Sequence, residues 1–146
     1  MNLKKLLDLG SLKNHKTSKK EINDLIKLIK RDIKDAKINE LSCDRRFAIA
    51  YNASLQGATI LLYCKGYKSR GAGHHFTTFQ AMKEILGSKY HKLADYFDSC
   101  RVKRNIMDYS YTGRISESET FEIINETEKF LKIVKDWIKN NYSNLL

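Results

Sequence analysis

Apolar residues in this chain recur in blocks at helical spacing. Ile22, Leu25, Ile26, Ile29, Ile33 and Ala36 repeat every three or four positions, which places them on one stripe of a helix. Ser18 stands ahead of this block with Glu21 three residues on, the pair that caps a helix N-terminus reciprocally. The spacing therefore predicts a helix over 18–38. Phe47, Ala50, Tyr51, Ser54, Leu55, Ala58, Leu61 and Leu62 form a broader apolar face and predict a second helix over 43–65, opening at Ser42 and ending at Gly66. Its small residues Ala48, Ala50, Ala53, Gly57 and Ala58 admit a closely packed neighbour.

The same periodicity continues toward the C-terminus. Phe76, Phe79, Met82, Ile85 and Leu86 predict a helix over 74–86 that stops at Gly87, and Leu93, Ala94, Tyr96, Phe97 and Cys100 predict one over 90–109. Ser116 and Glu119 repeat the reciprocal cap, and Phe121, Ile124, Phe130, Leu131, Val134, Trp137 and Ile138 carry the last helix over 116–141. Leu3, Leu6, Leu7 and Leu9 form a short amphipathic lead-in that ends near Gly10, and TGR at 112–114 reads as a turn. The segment GYKSRGAG, 66–73, holds three glycines and reads as the clearest loop. With no proline to break them, these segments predict an all-α protein, an antiparallel up-and-down bundle of four to five helices, in a single domain over 1–146.

Charge changes the picture from fold to partner. The formal net charge is +10, and it is concentrated: residues 1–40 hold eleven Lys/Arg against six acids, and residues 65–104 hold nine against three. A block of this kind suits a polyanion such as RNA or DNA; the plainer alternative is a lysine-rich solvated surface. Arg45 and Arg46 open the 43–65 helix, at the end where the helix dipole disfavours cations. Either an anion or acidic side chain lies nearby, or these arginines are simply solvated, the commoner case. Cys43, Cys64 and Cys100 are odd in number and lack a C-x-x-C spacing, so they read as free thiols in a reducing compartment rather than as metal ligands. No metal or cofactor is expected. The N-terminus MNLKKLLDLG is too broken by charge for a signal peptide, and no apolar run reaches membrane-spanning length. The expectation is a soluble, cytoplasmic protein.

Candidate chemistry concentrates in RVKRNIMDYSY, residues 101–111. Arg101, Lys103 and Arg104 supply cations, Asn105 an amide, and Tyr109 and Tyr111 phenols. Spacings of three and four put residues 104, 108 and 111 on one helix face, with Tyr109 nearer Asn105. The Arg104 guanidinium is a planar fork of donors suited to phosphate, and the Asn105 amide can reach ribose or base. The plainer alternative pairs Arg104 with Asp108 on the surface, and Tyr109 as a core residue. His74 and His75 follow the glycine-rich segment and Arg70; imidazoles at a helix start beside a cation make a phosphate site, or merely decorate that start.

In the order of its parts the chain resembles the HEPN superfamily of small helical bundles. These parts are the Ala/Gly-rich segment 43–65, the GYKSRGAGHH loop, the RN-x-x-D-Y motif and the RISESE start of the last helix. In nuclease members, the resemblance implies metal-independent RNA cleavage, by an arginine that holds the scissile phosphate and a histidine a few residues on. Two protomers pair so that both motifs line one cleft. Some members are toxins neutralised by a small nucleotidyltransferase, which modifies a tyrosine two residues beyond that histidine. Here Tyr109 stands where the histidine belongs, and Tyr111 matches the modified tyrosine. A phenol with an ordinary pKa of about 10 is a poor base near neutrality, and loss of a general base costs about 10²–10⁴ in rate.

Two readings result. One is a homodimeric domain that binds RNA or nucleotide phosphates through a basic cleft, in a toxin–antitoxin or phage-defence setting. The other is a metal-independent endoribonuclease toxin that uses Arg104 and Asn105 with a histidine of the GHH segment. Both expect Arg70, His75, Arg104 and Asn105 to converge, with Tyr109 and Tyr111 beside them. Lys68, Arg70, Arg101 and Lys103 serve as phosphate contacts, and His75 titrates near pH 7.

Overall fold

The computed structural model describes residues 2–109 and 115–146, with the backbone alone for 107–109. All five long helices are present, within a residue or two of their expected bounds. They are preceded by a short helix, α1 (Leu3–Asp8), and strand β1 (Leu12–Asn14). Then come α2 (Lys19–Ala36), α3 (Cys43–Cys64), strand β2 (Tyr67–Ser69), α4 (His74–Leu86), α5 (His91–Tyr109) and α6 (Glu117–Asn141). Short 3₁₀ turns sit at Ser88–Tyr90 and Ser143–Leu145. The fold is predominantly all-α, a helical bundle with a small two-stranded ribbon. No helix among the described residues is long and apolar enough to cross a membrane.

Helix α3 is the hub, packed against α2, α4, α5 and α6. Its broad apolar face buries Phe47, Tyr51, Leu61 and Leu62 almost completely. From Tyr51 a chain of aromatic contacts crosses the bundle: Phe79 at 6.1 Å, then Phe97 at 5.9 Å and Phe130 at 5.1 Å between ring centres. The small-residue stretch of α3 is used as its composition implies. A methyl group at Gly57 would lie 2.7 Å from Phe130 Cε2, so only glycine lets α6 approach this closely. Cys64 and Cys100 pack as small buried residues, and burial pushes both thiols up to about 11.

Three local expectations are refined. The glycine-rich segment 66–73 is not loop throughout, because Tyr67–Ser69 pairs antiparallel with Leu12–Asn14. Leu12 anchors the ribbon by burial with Leu6, Leu62 and Ala81; three-residue strands are too short for alternation to reveal them. At α2, Ser18 accepts the Glu21 backbone N–H, but the Glu21 carboxylate turns to His15 Nε2 and Thr17 Oγ1, both at 2.7 Å. The reciprocal cap is therefore half formed there, and complete at Ser116 and Glu119 of α6. Arg46 is buried, and its Nε donates to the carbonyl of Ala36 at 2.7 Å. The negative partner is thus the carbonyl end of α2, which needs such donors.

Candidate functional site

The C-terminal half of α5 lies against the N-terminal end of α4, and α3 forms the floor between them. Tyr51 joins the three elements. Its hydroxyl lies 3.0 Å from Nδ1 of His75, and the Arg104 guanidinium carbon sits 5.6 Å from its ring centre, within the range of a cation–π contact. The His75 ring centre is 6.0 Å from that of Tyr51. Arg104 and His75 therefore cannot be further apart than these two separations combined.

A small open recess adjoins this cluster, lined by Gly73, His74, His75, Arg101 and Asn105. Backbone conformation builds its edge. Gly73 has φ +74°, a left-handed value that a glycine adopts cheaply, and it leaves the first turn of α4 without a side-chain cap. Arg101 Nε donates to Asp98 at 2.7 Å, while its guanidinium lies 5.7 Å from the ring centre of the exposed Phe76. That ion pair and ring fix the arginine, which lines the recess, and a guanidinium offers phosphate a planar fork of donors.

Electrostatics corrects one expectation. His75 does not titrate near pH 7. Burial, followed by the neighbouring His74, Arg104 and Arg101, lowers it to about 4, so it is neutral at physiological pH. Burial raises the Tyr51 phenol above its ordinary value against the pull of Arg104 and Arg101, so Tyr51 stays protonated. The pair has two arrangements. Tyr51 donates to Nδ1 and leaves a proton on Nε2, or Nδ1–H donates to the phenol oxygen and leaves the Nε2 lone pair available.

The anticipated constellation forms in part. His75, Arg104, Asn105 and Arg101 are neighbours. Arg70 and Lys68 instead line a larger cavity on the other side of the His74–His75 step, which both histidines also border. Lys103 is engaged elsewhere: its ammonium ion-pairs with Glu119, the residue that caps α6. The Tyr109 side chain and Tyr111 lie outside the described residues. Tyr51 is the residue that sequence reasoning assigned only to the core. Its phenol, on an Ala- and Leu-rich face, was the available signal, because a buried tyrosine hydroxyl needs a polar partner.

Residues 38–135 match the family model described as SAV_6107-like HEPN. No curated protein and no solved structure gives a significant match.

Proposed function

Because this chain belongs to the SAV_6107-like HEPN family, whose general role is RNA-related, we propose that it binds single-stranded RNA. A backbone phosphate is held at the α4–α5 recess. Arg101 and Arg104 supply the positive charge, Asn105 hydrogen-bonds the adjoining ribose or base, and the neutral His75 lies against the phosphate. The observation that carries this reading is the meeting of His75 and Arg104 on Tyr51, from three helices, beside a recess that Arg101 and Asn105 line. A forked guanidinium at a concave, water-accessible position binds phosphate by charge-assisted hydrogen bonds. Affinity should therefore fall steeply with salt.

A second reading, metal-independent RNA cleavage, is favoured by one specific feature. His75 is unprotonated at neutral pH and can accept a proton from a 2′-hydroxyl. Its low basicity would make it a weak general base, which is why binding stands first. In the toxin-like form of this reading, Tyr111 is the residue that a nucleotidyltransferase partner would modify.

One experiment serves both. Labelled RNA is incubated with the protein in EDTA and followed for binding by anisotropy and for cleavage on a gel, with Arg104→Ala and His75→Ala in parallel. Binding that weakens at least about tenfold in Arg104→Ala, with a shallower salt dependence, is the expected result. Cleavage lost in both variants would promote the enzyme reading. Equal binding by wild type and Arg104→Ala would overturn the site.

A further inference from the structure

The larger cavity lies between α3 and the β1–β2 ribbon, with a volume of about 530 Å³. That is within the range of roughly 300–1,000 Å³ typical of small-ligand sites. Its two walls differ in chemistry. One is a polar stripe on the otherwise buried α3: Asn52, Gln56, Thr59 and Tyr63, at spacings of four, three and four, all line it. Asn52 Nδ2 donates to the buried Asp32 at 3.1 Å, which fixes the amide and leaves its oxygen as an acceptor.

The other wall is cationic. The ribbon register sets Lys13 directly opposite Lys68, and Arg70 follows one residue after the strand. Like charges facing each other across an antiparallel pair destabilise it, a cost that the Glu21 carboxylate, which interacts electrostatically with Lys68, offsets in part. The ribbon is nonetheless held in place. Arg70 N–H donates to Ser11 at 3.0 Å, and the Ser69 and Thr78 hydroxyls bond at 2.8 Å. Among the described residues, no carboxylate lines the cavity.

We infer that this cavity is a nucleotide subsite. One nucleotide of a single-stranded RNA places its base edge against Asn52 and Gln56 and its phosphate among Lys13, Lys68 and Arg70. The inference rests on the RNA-binding reading and deepens it. His74 and His75 border both depressions, so a strand crossing that step places consecutive units in the two. An amide pair offers a donor and an acceptor side by side, the pattern that reads a base edge. The cavity therefore supplies base preference, which the phosphate recess alone does not.

The test uses the full chain with fluorescent tetranucleotide RNAs of A, C, G and U, and free nucleoside monophosphates as a second arm. Gln56→Leu and the double variant Lys13→Gln/Arg70→Gln are compared with wild type, after circular dichroism confirms helicity. Wild type should rank the four RNAs, and Gln56→Leu should flatten that ranking with roughly tenfold weaker binding of the preferred RNA. The double variant should weaken all four and reduce the salt slope by about 1 to 2. RNA binding that both variants leave unchanged would overturn the subsite while the RNA-binding reading stands. Absence of RNA binding by wild type would overturn both. Binding of monophosphates without RNA would show a free-nucleotide site and overturn the strand subsite.

Discussion

His75 carries the most legible chemistry at the scale of single residues. Its pKa in the fold, about 4, lies below the ordinary value of 6.5. An unfolded chain therefore takes up a proton that the folded one refuses as pH drops through 6.5. The stability contribution is fully present above that pH, is lost progressively between 6.5 and 4, and levels off below. Urea unfolding at a series of pH values should show this loss in wild type and a flatter profile in His75→Gln across the same window. Identical slopes would mean that the imidazole is solvated and free to charge. If RNA cleavage is found, its acid limb belongs near pH 4 rather than 6.5. The same burial explains why Tyr51, apparently a core aromatic, acts as the bracket between His75 and Arg104.

Among the elements, α3 shows how a single residue type sets helix spacing. Gly57 faces Phe130 of α6, whose ring is itself buried. Alanine would gain up to about 1 kcal/mol of helix propensity, but overpacking of this kind costs about 1–3 kcal/mol. Gly57→Ala should thus lower the unfolding free energy by about 1 kcal/mol, read as a shifted urea midpoint at unchanged slope. A midpoint that rises would show that α6 yields at this contact. The β1–β2 ribbon is the opposite case, an element whose charges work against its own pairing. Its pairing is held by the Arg70 N–H to Ser11, by the Ser69–Thr78 hydroxyl bond and by burial of Leu12.

On the scale of the whole molecule, 27 Lys and Arg against 17 Asp and Glu leave a net charge of +10. Some cations are paired within the fold, Lys103 with Glu119, Lys83 with Asp95 and Arg101, through its Nε, with Asp98. Lys13, Lys68, Arg70 and Arg101 line the two depressions that His74 and His75 both border, where a polyanion would meet them. HEPN domains often dimerise, and a pair that joins two copies of Arg104 across one basic cleft would double the phosphate contacts available to a strand. Light scattering at micromolar concentration should then give twice the 17.0 kDa chain mass. A mass of one chain would remove the shared cleft and leave each recess to act alone.

By itself the sequence determined the helices, their order and most of their ends, because helical period and capping are local properties of neighbouring residues. Ser116 with Glu119 is legible for that reason, as is the close-packing stretch around Gly57. Tertiary structure decided how polar groups were spent. Glu21 reads as half of a cap from its spacing, yet His15 and Thr17 compete for its carboxylate once the N-terminal segment folds back. Lys103 reads as a phosphate contact beside Arg104, but α6 brings Glu119 to it from sixteen residues away. His75 meets Tyr51 across twenty-four residues, and that burial, rather than the imidazole's intrinsic chemistry, sets its charge. Ion pairs, desolvation and strand pairing depend on distances between elements, and only the packed fold supplies those distances.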